Sequence, residues 1–329
     1  MDTALVIGGT RFIGRHTVPE LLAHGYEVAI FNRGTRENPF ADTEGVTHVQ
    51  GDRTNDSALE LAREQVDPDV VIDFVAYRPR EVRAATTVFA DVDAYVYVSS
   101  GAAYGEETIP KREGETALCP CTPEQAVDDS YDTYGPRKAE GDRAVFEAAE
   151  NGVNAMSVRP TVVYGPDDYT ERLDYWIHRV HDYDRVLVPG DGGSLWHLVY
   201  VENVASALRV VAEEGTPGEA YNCGDRHLAT LAELVERIAD ALDTEVEVVT
   251  ACERELAAGE LEPTDFTLYR EYPHVLSTAK LHALGWESTP LGEALAQTVA
   301  DSLESDRDGS EHDPGREAEE RVLGVLDTL

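Results

Sequence analysis

From Ala4 to Arg159 the chain alternates short apolar runs with longer segments whose apolar residues recur every three or four positions. The short runs, read as strands, are Ala4–Gly8, Glu27–Phe31, Thr47–Gln50, Val70–Phe74, Ala94–Val98 and Ala155–Arg159. Helical spacing falls around Ile13–Ala23, Ala58–Gln65, Arg80–Ala90 and Tyr134–Glu150. This alternation predicts βαβ units sharing a parallel sheet. Val70-Val71-Ile72 and Tyr95-Val96-Tyr97-Val98 lack polar alternation, as expected when helices cover both faces of a strand. The expected fold class is α/β, a Rossmann-type doubly wound parallel sheet. Ligands of such sheets bind beyond the strands' carboxyl ends, where the strand order reverses.

After Pro160 the regularity loosens. Helical pieces at Arg172–His181, Asn203–Glu213, Leu231–Leu242 and Leu291–Leu303 alternate with short strands at Val186–Val188, Leu198–Val201 and Glu245–Val249. The reading divides the chain into a nucleotide-binding domain over 1–165 and a smaller C-terminal substrate lobe over 166–303, interleaved with late Rossmann elements. A charged stretch with Gly and Pro, 304–315, is expected to be a mobile acidic linker. Residues 316–329 are expected to form a partly apolar helix that docks back or meets a partner. No internal repeat is present.

Charge changes the picture more than length does. Sixty-four acidic residues face 27 basic ones, a net charge of −37, and only three of the basic residues are lysines. Acidic side chains spread along the whole chain imply a surface built for multimolar salt, hence a halophilic source; there screening removes self-repulsion. The charge argues against a nucleic-acid partner, because an anionic surface repels phosphates and phosphate contacts weaken as salt rises. Cys119, Cys121, Cys223 and Cys252 form neither a metal-finger spacing nor a disulfide framework, so no metal is expected. No apolar stretch approaches the ~20 residues of a membrane span, and the first strand leaves no room for a signal peptide. The expectation is a cytoplasmic protein acting on a small molecule.

Candidate chemistry begins where the first strand ends, in Gly8-Gly9-Thr10-Arg11-Phe12-Ile13-Gly14. Glycines there let backbone approach a pyrophosphate, and the following helix offers N–H donors and the positive end of its dipole. Gly8, Thr10, Arg11, Phe12, Ile13 and Gly14 are therefore candidate cofactor contacts, with Arg11 standing where a glycine would complete the motif. The second strand ends in Phe31-Asn32-Arg33, which places Asn32 and Arg33 beside the adenosine ribose. An acidic residue there would select NAD, whereas arginine accommodates a 2′-phosphate. Arg11 and Arg33 together favour NADP, with NAD possible. Asp52 and Arg53 after the third strand, and Val75 and Ala76 after the fourth, are cofactor candidates by position.

Lysine is scarce, yet Lys138 stands four residues after Tyr134, on one helix face. A phenol titrates near pH ~10, and an adjacent cation favours its phenolate, giving a proton-transfer group usable near neutrality. Ser99 and Ser100 close the fifth strand. A serine there would hold and polarise a substrate oxygen, completing a Ser100–Tyr134–Lys138 set.

Several stretches together resemble the extended short-chain dehydrogenase/reductase superfamily, the NAD(P)-dependent sugar epimerases, dehydratases and reductases. They are the glycine turn, Ser99-Ser100-Gly101-Ala102-Ala103-Tyr104-Gly105, Tyr134…Lys138 and Arg159-Pro160-Thr161-Val162-Val163-Tyr164-Gly165-Pro166. The resemblance covers about residues 3–300. It implies Ser100, Tyr134 and Lys138 as catalytic residues. It further implies Ser99, Tyr134, Lys138, Pro160 and Val162 at the cofactor, and Ala102, Arg172 and His197 at a nucleotide-sugar or related substrate. It also implies a homodimer through helices such as Tyr134–Glu150. Gly-Gly-Thr-Arg-Phe-Ile-Gly and Arg316-Glu317-Ala318-Glu319 are similar to an atypical branch bordering the chloroplast stem-loop-binding proteins. That neighbourhood leaves a second reading open, a catalytically weak cofactor-binding scaffold or RNA-binding protein. The stretch between Ser100 and Tyr134 is longer than in the sugar enzymes.

Overall fold

A computed structural model describes residues 2–328. In chain order the first elements are β1 (Thr3–Ile7), α1 (Phe12–Ala23), β2 (Glu27–Asn32), β3 (Val46–Gln50), α2 (Asp56–Val66), β4 (Val70–Asp73) and α3 (Pro79–Val88). Then follow β5 (Ala94–Val98), α4 (Tyr134–Glu150), β6 (Ala155–Pro160), β7 (Val162–Tyr164), α5 (Arg172–Asp182), β8 (Arg185–Pro189) and β9 (Leu198–Tyr200). The last are α6 (Val201–Glu214), β10 (Ala220–Cys223), α7 (Leu231–Ala241), β11 (Glu247–Ala251), α8 (Glu253–Leu256), α9 (Ala279–His282), α10 (Leu291–Glu304) and α11 (Arg316–Leu326). All six strands expected up to Arg159 occur within one residue of their expected bounds. Two short strands, β7 and β10, were not legible from the pattern.

The chain forms two compact units. The first comprises Met1–Thr161, Val201–Gly224 and Leu276–Glu287. Its seven strands are all parallel, in the order β10-β6-β5-β4-β1-β2-β3. The order reverses between β1 and β4, which creates the switch point of a doubly wound sheet. Leu5, Ile7, Val71, Tyr95 and Tyr97 join Leu59 and Ala62 of α2, Val82 and Ala85 of α3, and Ala144 and Val145 of α4 in one apolar core. Successive strand residues point to opposite faces, so Ala4, Val6, Ile72 and Val96, all buried, serve the other face. Both faces being covered is why these strands read as unbroken apolar runs.

The stretch between Ser100 and Tyr134 is tied to the β10 edge of this sheet. Glu113 accepts the Asn222 N–H (2.7 Å), and the Asn222 side-chain amide donates to the carbonyls of Lys111 (3.3 Å) and Ser277 (3.1 Å). Tyr104 donates to Asn222 Oδ1 (2.8 Å) while accepting from Arg159 (2.9 Å), whose Nε is held by buried Asp142 (2.8 Å). Edge groups that would otherwise lie open are thereby satisfied.

The second unit comprises Val162–Tyr200, Asp225–Val275 and Ser288–Leu329. It holds two parallel strand pairs, β7–β9 and β8–β11, with α5, α7, α10 and α11. The observed division at Thr161/Val162 therefore lies a few residues before the expected boundary at 165, and 201–224 and 276–287 return to the first unit. The acidic stretch 304–315 differs from a mobile linker. Arg307 is paired with Asp174 (3.3 Å) and Asp301, Gly309 N–H donates to Glu171 (3.1 Å), and His312 Nε2 lies 2.7 Å from the Thr170 carbonyl. In α11, buried Glu319 accepts from Arg179 Nε (3.0 Å), Tyr175 (2.9 Å) and Arg316 (3.1 Å), so the terminal helix docks within its own unit. Among the described residues no helix is long and apolar enough to cross a membrane.

Candidate active site

The glycine turn leaves β1 with backbone that only glycine adopts easily: Gly8 has φ 120° and Gly9 φ 83°. A Cβ on Gly14 would lie 2.7 Å from the Gly9 Cα, so glycine is what lets α1 start this close to the turn. Arg11 stays extended (φ −134°, ψ 146°), and Phe12 takes φ 34° with its ring buried. The first turn of α1 carries no acidic residue, which suits it to an anion. Thr10 and Ile13 are half-buried beside it and the Arg11 side chain is exposed.

The end of β2 is fastened to this turn. Asn32 Nδ2 donates to the Gly8 carbonyl (3.4 Å), and its Oδ1 accepts the Gly34 N–H (2.8 Å) and lies 3.0 Å from His48 Nε2. Arg33 follows with its side chain exposed. Asp52 accepts from the Thr54 N–H (2.9 Å) and hydroxyl (2.8 Å). Those bonds first, then the Arg33 and Arg53 guanidiniums, hold its carboxyl below the usual range. Arg53 is buried instead, paired with fully buried Asp73 and donating to the Glu81 carbonyl (3.0 Å).

Helix α4 is set against the end of β5 by two glycines. A Cβ on Gly135 would lie 2.5 Å from the Ala102 carbonyl oxygen, and one on Gly141 2.6 Å from the Tyr97 hydroxyl. This close approach puts half-buried Tyr134 next to the turn that Ser100 opens. Ser100 Oγ caps that turn by accepting the Ala102 N–H (3.2 Å), and Ala102 itself is exposed. One turn into α4, buried Lys138 donates to the carbonyls of Val98 (2.8 Å) and Ala76 (3.3 Å). Its ammonium also lies over three phenol rings, 4.7 Å from the centroid of Tyr97, 5.4 Å from Tyr77 and 5.9 Å from Tyr134. Burial pulls Lys138 down to about 8, against the opposing pull of Asp73 and Asp142. The two other lysines also sit on backbone carbonyls, Lys111 on Glu106 (2.6 Å) and Lys280 on Ala220 (2.9 Å).

Ser100, Tyr134 and Lys138 thus gather with Ala76 and Val75 at the ends of β4 and β5. A Cβ on Gly8 would lie 3.2 Å from the Phe74 Cβ, so the glycine turn borders the same switch point. Ser99 Oγ is buried there with no partner among the described residues. Pro160 is buried at the end of β6. Val162, Arg172 and His197 belong to the second unit. Val162 is buried on β7 beside Leu198. Arg172 opens α5 with Nε on Thr170 Oγ1 (3.1 Å), and buried His197 has Nε2 2.7 Å from the Asp225 carbonyl. Sequence reasoning missed Asp73 and Arg137, both close to Lys138. The one local signal was an aspartate ending the apolar run Val70-Val71-Ile72.

A seven-stranded doubly wound parallel sheet with a glycine turn at its switch point defines a Rossmann-type protein. The chain belongs to the NAD dependent epimerase/dehydratase family, which residues 4–224 match. It is 27% identical over 297 residues to the chloroplast stem-loop binding protein of 41 kDa b of Arabidopsis thaliana, spanning 86% of this chain and 74% of that one. It is also 27% identical over 311 residues to the low-salt glycan biosynthesis protein Agl12 of Haloferax volcanii, covering 86% and 92% of the two chains. In fold it is similar to the dTDP-glucose 4,6-dehydratase of Bacillus anthracis in complex with NAD. That likeness has a TM-score of 0.72 at 22% identity and covers 95% of this chain and 100% of the other. The UDP-glucose 4-epimerase of Thermus thermophilus, in complex with NAD, gives 0.67 at 23% identity over 92% and 99%.

Proposed function

We propose that this protein is an NAD(P)-dependent enzyme of the epimerase, dehydratase or reductase type acting on a nucleotide-sugar or related hydroxyl or carbonyl substrate. The observation that carries the reading is the buried Lys138 ammonium 5.9 Å from the Tyr134 ring, at the helix start that Gly135 presses against the Ser100 turn. The groups present fit a dinucleotide: glycines with no room for a Cβ, an unacidic helix start and the orphaned Ser99 hydroxyl. Gly8, Thr10, Phe12, Ile13 and Gly14 would hold its pyrophosphate, Asn32 and Asp52 its adenosine end, and Val75, Ala76, Ser99 and Pro160 its nicotinamide end. Exposed Arg11 and Arg33 favour a 2′-phosphate, hence NADP. When bound, the nicotinamide supplies the hydride donor or acceptor.

The chain's own residues supply the proton chemistry. Ser100 holds the reacting oxygen, and Tyr134 takes its proton or returns it. The Lys138 ammonium favours the phenolate form of that tyrosine. Ala102, exposed beside the Ser100 turn, would position the substrate. His197 has its ring nitrogen close to the Asp225 carbonyl within the second unit. The Tyr134→Phe substitution should lower turnover by at least about 100-fold with cofactor affinity nearly intact, and unchanged turnover refutes the role. A second reading, a catalytically weak cofactor-binding scaffold or an RNA-binding protein on the same fold, is favoured by the likeness to the chloroplast stem-loop binding protein and, for RNA, opposed by a net charge of −37. Purification in multimolar KCl, denaturation and mass spectrometry of any released nucleotide separates the two. A stoichiometric dinucleotide supports the recycling enzyme; an empty protein that also fails to bind NADPH favours the RNA-binding protein.

A further inference from the structure

Arg53 follows Gly51-Asp52, the stretch from which a nucleotide contact is expected, yet its guanidinium is buried against Asp73, itself at zero exposure. Asp73 also accepts from the Tyr95 hydroxyl (3.0 Å) and from the Val75 N–H (3.2 Å). Arg53 in addition donates to the carbonyl of Glu81 (3.0 Å), whose carboxylate accepts the N–H groups of Tyr77 (2.8 Å) and Arg78 (3.1 Å). The turn Val75-Ala76-Tyr77-Arg78 is therefore gripped through its amides by Asp73 and Glu81. Its carbonyls are gripped from α4, Ala76 by Lys138 (3.3 Å) and Tyr77 by Arg137 (3.0 Å). The contacts run without a break from Arg53 to Lys138. A buried pair of this kind is a weak source of net stability, but removing one partner disturbs everything its charge balances.

We propose that Arg53 and Asp73 are positioning residues for Lys138, a buried ion pair that fixes the turn on which the ammonium rests and balances the charge around it, and that Arg53 is not a nucleotide ligand. The proposal rests on the reading of Tyr134 and Lys138 as the reacting pair. Asp73 on β4 and Asp142 on α4 favour the ammonium, and Arg137 on α4 and Arg53 oppose it. Asp142 is in turn held by Arg159 of β6 (2.8 Å), and the phenols facing the ammonium are Tyr77, Tyr97 and Tyr134. Loss of Asp73 removes an attraction; further loss of Arg53 removes a repulsion.

The scarcity of lysine makes the test direct. Protein labelled with ¹³C at the lysine ε-carbon has three signals, one per lysine, and Lys138→Arg assigns one of them. The expected order of Lys138 titration midpoints is wild type highest, Arg53→Met/Asp73→Asn intermediate and Asp73→Asn lowest, with steps of about half a pH unit or more. The alkaline limb of turnover should move with the midpoint, and NADPH affinity of the double variant should stay within about threefold of wild type. A midpoint unchanged in the double variant, or an NADPH affinity about tenfold weaker with the midpoint unmoved, overturns the proposal. If Asp73→Asn alone fails to fold, the double variant, which removes both members of the Arg53–Asp73 pair and leaves no buried guanidinium without its carboxylate, decides by itself. Full turnover in Tyr134→Phe would instead refute the functional reading and leave the titration result standing.

Discussion

Lys138 pays for its position with its proton, and the size of that effect can be read from unfolding. Burial lowers it from 10.5 to about 8, Asp73 and Asp142 offsetting part of the shift. At ~1.4 kcal/mol per pH unit, that is about 3 kcal/mol between the folded and unfolded chains. Below pH 8 the amine is protonated in both states and the folded protein carries the full cost. Between about 8 and 10.5 the folded protein has released the proton and the unfolded chain has not, so this group's contribution to stability rises with pH. Above 10.5 both are neutral and the cost is gone. The Lys138→Met substitution removes the titration altogether. Its loss of hydrogen bonds to the Ala76 and Val98 carbonyls is a largely pH-independent offset of about 1 kcal/mol for each bond. Urea unfolding of both proteins in multimolar KCl at pH 7, 8, 9 and 10 gives the comparison, since screening acts weakly on a buried charge. Wild type should gain about 2.5 kcal/mol on the variant across that range, because at pH 10 the unfolded amine is still mostly protonated. Curves that stay parallel to within about 0.5 kcal/mol would refute the desolvation argument and, with it, the idea that Lys138 is poised near neutrality.

Other outcomes follow from single contacts. Gly135→Ala puts a methyl 2.5 Å from the Ala102 carbonyl oxygen, so stability should fall by about 1–3 kcal/mol and turnover should fall further at temperatures where the fold persists, because Tyr134 moves off the Ser100 turn; unchanged activity would separate the two. Arg33→Asp combined with Arg11→Gly should shift the ratio of NADP to NAD affinity toward NAD by about tenfold or more, read by fluorescence titration; a constant ratio refutes the 2′-phosphate argument. Glu319→Ala leaves Arg179 and Tyr175 without their shared buried carboxylate, and calorimetry should find about 3 kcal/mol lost.

How much of this was legible in the sequence differs from residue to residue. Tyr134 and Lys138 stand out because i and i+4 share a helix face whatever the tertiary setting, and Gly14 because a glycine opening a helix after a strand has few other uses. Arg33 was legible only as a position two residues beyond the apolar run of β2. Arg53 and Asp73 were not, since a local window cannot show that two residues twenty apart face each other in a dry interior. β10 escaped for a related reason: Ala-Tyr-Asn-Cys reads as half polar, and Asn222 is tolerated in the sheet because Tyr104, Glu113, Lys111 and Ser277 satisfy it. The acidic stretch 304–315 looked like linker because its composition matches one; Arg307, Gly309 and His312 find their partners only in the fold.

By itself, then, the sequence determined the elements, the doubly wound class and the Ser–Tyr–Lys spacing, because those follow from side-chain periodicity and backbone sterics, which act over a few residues. Tertiary structure alone decided the strand order, the partner of Arg53 and the surroundings of Lys138, whose two carbonyl partners come from residues 40 and 62 positions away. Desolvation and charge pairing are properties of what surrounds a group in space, and only the folded chain sets that.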